Sequence, residues 1–223
     1  MTRESLRSQI EVGTAVCNTV DEACDDLARL RRVVADVANN HGLAPIAAST
    51  HPHANWIEQK RTPKGRYNYL VAEMQVAARR MLICGMHVHV GVDDLRIDLL
   101  SQIKYFLPHL LVLSTSSPFW EGQDTGLKSY RLTIFDALPR TGLPEHFASF
   151  GEYQWHVDVL VNAGLLKDAT IIWWDFRLSA RYPHTRNPNF RCLHLVRGCR
   201  EVAALTVCMI RMLYRLRLQN QRW

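Results

Sequence analysis

The stretch Cys84-Gly85-Met86-His87-Val88-His89-Val90-Gly91 alternates apolar and polar residues, a period of two that fits an extended strand with one face turned inward. His87 and His89 then project together from one face, while Met86, Val88 and Val90 turn to a core. Two imidazoles sharing so small an area can ligate a divalent metal or hold a phosphate oxygen, and Gly85 and Gly91 let a ligand come close to the backbone. A histidine pair that simply faces water fits the same alternation.

The chain on either side supplies helices. Thr19-Val20-Asp21-Glu22 is a capping box, after which Val20, Ala23, Leu27, Leu30, Val34 and Val37 recur at helical spacing until His41-Gly42. Leu43 to Thr50 reads as a buried strand stopped by Pro52. A second helix is expected from Arg66 to Met81, with Tyr67, Leu70, Val71, Met74, Ala77 and Ala78 inward. Asp93-Asp94 suits the cap of a third, Leu95 to Phe106, interrupted or restarted at Pro108. A second capping box, Ser149 to Glu152, opens a helix ending near Asn162-Ala163-Gly164, and Ile171 to Arg177 has strand composition that puts Asp175 and Arg177 on one face. The last helix, Arg200 to Gln219, carries the stripe Val202, Leu205, Met209, Leu213 and Leu216. Strands interspersed with helices predict an α+β fold, an antiparallel or mixed sheet covered on one face by helices.

Length and composition fit one soluble domain spanning residues 1–223: 48% of residues are hydrophobic and 22% charged. No apolar run reaches transmembrane length and residues 1–9 are polar, so the expected location is cytoplasmic, without a membrane partner. Six cysteines without Cys-x-x-Cys spacing read as small buried hydrophobes, and no disulfide is expected. The net charge of +6 resides in the tail, because residues 186–223 sum to +7 and residues 1–185 to −1. That tail lacks a stacking platform or nucleic-acid motif, so no specific nucleic-acid partner is expected.

Several motifs carry a specific resemblance. Gln9-Ile10-Glu11-Val12, Thr50-His51-Pro52, the His-Val-His strand, Ser116-Ser117-Pro118-Phe119-Trp120-Glu121-Gly122-Gln123-Asp124-Thr125-Gly126 and Ser129-Tyr130-Arg131 occur in the order and spacing of one family. The chain resembles the bacterial carboxylate-amine ligases, also called glutamate-cysteine ligase type 2, from about Ser5 to Pro183 and again from about Ala203. The resemblance implies a glutamine-synthetase-like active-site sheet and an ATP-dependent ligase. Such an enzyme forms an amide such as γ-glutamylcysteine from glutamate and cysteine through an acyl phosphate, with ATP and Mg2+ as cofactors.

Such chemistry requires neutralising the ATP phosphates and shielding an acyl phosphate from water. The implied metal ligands are Glu11, His87 and His89. The implied nucleotide-binding residues are His87, His89, Ser116, Asp124 and Thr125. Arg131 is the candidate for stabilising the transferred phosphoryl group or clamping a carboxylate, since guanidinium matches either oxyanion, and Glu11 joins it as a catalytic candidate. His51 is a weaker candidate, and Phe119 and Trp120 are expected to pack beneath the loop. An ordinary salt bridge for Arg131, and turn formation for Ser116, Asp124 and Thr125, fit the same residues.

The chain also departs from the family. It starts downstream of the strand Gly-Val-Glu-Glu-Glu-Phe, whose carboxylates help hold the metals, so the sheet is expected to be incomplete and the chain a truncated, divergent member. Where the family continues Thr-Leu-Glu-x-Arg, this chain reads His184-Thr185-Arg186-Asn187-Pro188-Asn189-Phe190-Arg191, and residues 176–200 contain no Asp or Glu. Pro188 argues for a loop or edge there rather than a strand. Two readings follow: a ligase acting on amino-acid substrates, or a catalytically impaired homologue that binds a ligand or partner. An unpaired sheet edge would also favour self-association into a homo-oligomer.

Overall fold

A computed structural model describes residues 2–92, 95–178, 189–192 and 198–223. In chain order its elements are β1 (Thr2–Arg3), β2 (Ile10–Glu11), α1 (Val20–Asn39), α2 (Gly65–Arg79), β3 (Val88–Gly91), α3 (Arg96–Ile103) and α4 (Leu107–Ser114). There follow β4 (Phe119–Trp120), β5 (Gln123–Asp124), α5 (Tyr130–Phe135), α6 (Phe150–Asn162), β6 (Phe176–Leu178), β7 (Asn189–Cys192) and α7 (Cys199–Leu218). The fold is mixed α and β, with a small, open sheet partly covered by helices. The described chain divides into two compact units, one built from residues 1–85, 115–138 and 195–201, the other from 86–114, 139–194 and 202–223.

The first unit closes around Leu6, Val71, Ala78, Leu82, Ile83, Trp120, Ile134 and Phe135, all buried. Both capping boxes form as their sequences dictate. In this unit Thr19 Oγ1 accepts from the Glu22 N–H at 3.1 Å, while Glu22 reaches back to the Asn18 N–H at 2.9 Å. The inward face expected for α2 is present, with Val71 and Ala78 buried and Asn68, Tyr69, Ala72 and Glu73 exposed. That helix is not continuous, however: Gln75 adopts φ 46° and ψ −118°, which breaks it one turn before its end. The strand expected over Leu43 to Thr50 is absent. Residues 41–47 are exposed, and only Thr50 pairs, bridging Ile83, because this apolar run finds no neighbouring strand to complete a ladder.

The second unit holds the sheet, ordered β3-β7-β6 with both pairs antiparallel. Two of its expectations need correction. Residues 189–192 form the central strand rather than a loop or edge, and Pro188 lies outside the described residues. Ladder pairing on both sides supplies what local propensity withheld. Ile171 to Arg177 is not one strand: Ala169–Ile171 is a 3-10 turn capped by Asp168, and only Phe176–Leu178 pairs. Phe176 is fully buried and Leu178 nearly so, and α3 lies against this strand with Leu99, Leu100 and Ile103 buried. Pro108 restarts the chain as α4, after a single 3-10 turn at Lys104–Phe106. Asp93 and Asp94 lie outside the described residues. In α6 Ser149 Oγ accepts from the Glu152 N–H, and Gly164, at φ 72°, ends the helix as its N–H and that of Leu165 return to Val161 and Leu160. The inward stripe of α7 runs through Val202, Thr206, Ile210 and Leu213, with Leu205, Met209 and Leu216 only half-buried beside it.

Candidate functional site

In the first unit the β1–β2 hairpin pairs Thr2 with Glu11 and Arg3 with Ile10, which brings Glu4, one residue past β1, beside Glu11. Burial, a hydrogen bond shared with Glu11 and the charge of that neighbour push the Glu4 carboxyl above its ordinary range, opposed by the Ser5 N–H and Lys64. Gln9 fastens this hairpin to residues 81–84: its side-chain amide donates to the Ile83 carbonyl at 2.8 Å and reaches the Met81 carbonyl at 3.4 Å.

Arg131 converges on that segment from α5. Only 4% exposed, it donates from Nε to the Cys84 carbonyl at 2.8 Å, its backbone N–H donates to Ser117 Oγ at 3.2 Å, and its guanidinium carbon lies 5.0 Å from the centre of the Phe135 ring. Burying a cation is costly without such partners, so the local structure holds this charge in a fixed position. The sulfur of Cys84 feels both the positive charge of Arg131 and the negative charge of Glu4. Gln9 and Arg131 thus both hold the segment 81–84, Glu4 acts on Cys84 within it, and Glu11 lies beside Glu4.

The Ser-Pro-Phe-Trp loop forms the β4–β5 hairpin, with Gly122 at φ 80° in its turn, a conformation that side chains rarely adopt. Asp124 Oδ1 accepts from the Gly126 N–H at 2.9 Å, Thr125 Oγ1 donates to the Pro118 carbonyl at 2.8 Å, and Ser116 Oγ lies 2.7 Å from Ser49 Oγ. All three side chains therefore shape the loop. Thr50-His51-Pro52 clamps it: Thr50 Oγ1 donates to the Phe119 carbonyl, and the Pro52 carbonyl accepts from the Gly122 N–H. His51 Nδ1 accepts from the Ala54 N–H at 2.8 Å, so this ring builds the turn that precedes Trp56. Trp120 packs beneath the loop against Tyr130, as its sequence context suggests, whereas Phe119 is exposed.

In the second unit His87 immediately precedes β3 and His89 lies within it. Their ring centres are 6.4 Å apart at 72°. The register His89↔Arg191↔Arg177 sets residues 89 and 177 in one row of the sheet, so they share a face. Arg177, near the hydroxyl of buried Tyr153, donates to the carbonyls of Thr170 and Ile172. Among the described residues, no group of three or more His, Cys, Asp or Glu side chains is gathered to hold a metal ion. Two residues near the expected site were not anticipated from sequence. Glu4 has a signal in hindsight, since it lies two residues before the Leu6-Arg7-Ser8 turn and Glu11 three after it. Arg177 has one only through strand register, which crosses the chain.

Residues 1–223 match the glutamate-cysteine ligase family 2 (GCS2). The chain is 58% identical over 225 residues to the "Putative glutamate--cysteine ligase 2" of Rhodospirillum rubrum, covering 100% of this chain and 58% of that relative. A protein of the same description from Jannaschia is 52% identical over 99% of this chain and 59% of the relative, and one from Chloroflexus aurantiacus is 43% identical over 92% and 53%. The chain thus spans under three-fifths of the length of these curated relatives. With the match running from the first residue to the last, the chain belongs to glutamate-cysteine ligase family 2.

Proposed function

We propose that this chain is an ATP-dependent carboxylate-amine ligase that joins glutamate to cysteine through an acyl phosphate. The observation that carries the reading is the buried Arg131, fixed on the Cys84 carbonyl, with the Glu4 carboxyl of the Glu4–Glu11 pair also acting on Cys84. Glu11 and Glu4 suit magnesium, which prefers oxygen ligands, and the charge of Glu11 that pushes the Glu4 carboxyl up is one a cation would offset. Magnesium, when bound, supplies charge neutralisation at the nucleotide phosphates. His87 and His89 are the proposed histidine ligands to metal and phosphate. Arg131 would face the transferred phosphoryl group or the glutamate carboxylate, and Ser116, Asp124 and Thr125 hold the loop that shapes the nucleotide site. The sheet is read as the glutamine-synthetase-like sheet of this family, and a cytoplasmic location suits these substrates.

A second reading, a ligand-binding homologue with little turnover, is favoured by the absence of a gathered trio of metal-ligating side chains among the described residues. Thermal shift with magnesium-ATP and phosphate release with glutamate and cysteine separate the two. The ligase reading expects a raised midpoint, a loss of most of that shift in His89→Ala and Glu11→Gln, and phosphate release that depends on both amino acids. A shift without release selects the second reading. A shift undiminished in both variants would remove these residues from the site, and neither shift nor release would sink both readings.

A further inference from the structure

We propose that Cys24 and Cys199 are a redox-active pair that exchanges with low-molecular-weight disulfides and closes into a reversible disulfide between α1 and the first turn of α7. Two contacts bring Cys199 onto the face of α1 that carries Cys24. Arg200 pairs with Asp21 at the start of α1, and Arg31, further along the same helix, donates from Nη2 to Cys199 Sγ at 3.5 Å. These contacts pin Cys199 over the length of helix between positions 21 and 31. Cys24 and Arg31 are seven residues apart, two helical turns, and so lie on one face. A long side chain on a helix leans toward the N-terminus, which carries the Arg31 guanidinium back toward Cys24.

The two thiols differ in a way that suits a sequential exchange. Cys199 is the first residue of a 20-residue helix, and the Arg31 guanidinium already contacts its sulfur, where it faces an incoming disulfide. Burial pushes the Cys24 thiol above its ordinary range, with Arg200 opposing and Asp21 and Cys199 adding to the rise. Cys199 is accordingly the attacking thiol and Cys24 the resolving one. The Cys199 thiolate attacks one sulfur of a small disulfide, forming a mixed disulfide and expelling one small thiolate. Cys24, after losing its proton, attacks Cys199 Sγ and expels the second small thiolate. Two protein thiols are oxidised to one disulfide, one small disulfide is reduced to two thiols, and the two protons pass to the leaving thiolates. Both cysteines are half-buried, accessible to a small oxidant.

The test is incubation of the full chain in glutathione redox buffers, followed by digestion without reductant and mass spectrometry. We expect a linked Cys24–Cys199 peptide 2 Da below the sum of its reduced halves, absent from Cys24→Ser and Cys199→Ser and restored to thiols by reductant. Linkage closes a long loop, so the oxidised chain should melt about 5 °C or more above the reduced one. Should a cysteine variant fail to fold, Arg31→Ala keeps the question open to measurement, because it should retain the same product while slowing its formation about 10-fold. Absence of the linked peptide at every redox ratio would overturn the proposal. So would its appearance only in denaturant, or equal yields of pairs involving Cys17 or Cys208.

Discussion

Helices α1 and α7 are each 20 residues long, and each carries apolar residues at helical spacing, yet one builds a core and the other does not. In α7, Val202, Thr206, Ile210 and Leu213 are buried, the last completely. In α1 no residue is buried, although it is the more strongly amphipathic of the two. What holds α1 is polar: the capping box at Thr19, the Ala15 N–H on Asp26, the Asp26–Arg29 pair, and the Asp21–Arg200 contact. Periodicity thus states that a face exists, whereas only the tertiary partner decides how far that face leaves water.

The contrast makes unequal demands on matched substitutions. Leu213→Ala should cost about 2–5 kcal/mol in urea unfolding, the usual range for a fully buried leucine, while Leu27→Ala on the half-covered stripe of α1 should cost about 1 kcal/mol or less. Equal costs would mean that α1 is buried in solution by something more than its neighbours here. Thr19→Ala should remove about 1 kcal/mol, and because caps rather than burial hold this helix, the loss should appear first as faster hydrogen exchange in its opening turns. A uniform rise in exchange across the chain would instead make α1 part of one cooperative core.

Smaller effects should come from the charges. Asp98 takes Arg217 at 3.1 Å and Arg222 at 3.4 Å, anchoring the end of α7 on α3. These side chains are partly exposed, so Asp98→Asn should cost only about 0.5 kcal/mol, with the difference fading at high salt. A large, salt-independent loss would give α7 an electrostatic anchor comparable to its apolar one. For α1, the Ala15 N–H and then Arg29 hold the Asp26 carboxyl below its ordinary value of 3.8. A depressed folded-state value means that this contribution is present above the unfolded value and disappears as pH falls through the folded one. An NMR titration of Asp26 should therefore show a midpoint below 3.8, abolished in chains where Arg29→Ala is combined with Ala15→Pro. An unshifted midpoint would leave α1 without this tie.

These two helices also show what could be read from the chain itself. Helices announce themselves through contacts within a few residues, so both capping boxes, the inward face of α2 and the restart at Pro108 were legible. Strands depend on partners far along the chain. Leu43 to Thr50 has the composition of a strand but pairs only at Thr50, while residues 189–192, discouraged by the preceding proline, become the centre of a sheet because β3 and β6 flank them. The candidate site divides the same way. Glu11 and Arg131 stood out through motif context, but the buried setting of Arg131 rests on the Cys84 carbonyl, 47 residues away, and the pairing of Glu4 with Glu11 on a two-residue ladder. Ser116, Asp124 and Thr125 were visible as polar residues, and the hydrogen bonds that commit them to the loop were not.

The order β3-β7-β6 bears on how this chain acquires its shape in time. Phe176 and Cys192 pair across a short separation, whereas His89 must find Arg191, 102 positions later. Closing so long a loop is entropically slow compared with forming a local hairpin. During synthesis, then, the histidine-bearing strand emerges well before β7, its ladder partner among the described residues. The most recognisable motif of the sequence waits for a distant partner, and a ribosome-bound chain stopped before residue 189 would display it without that pairing.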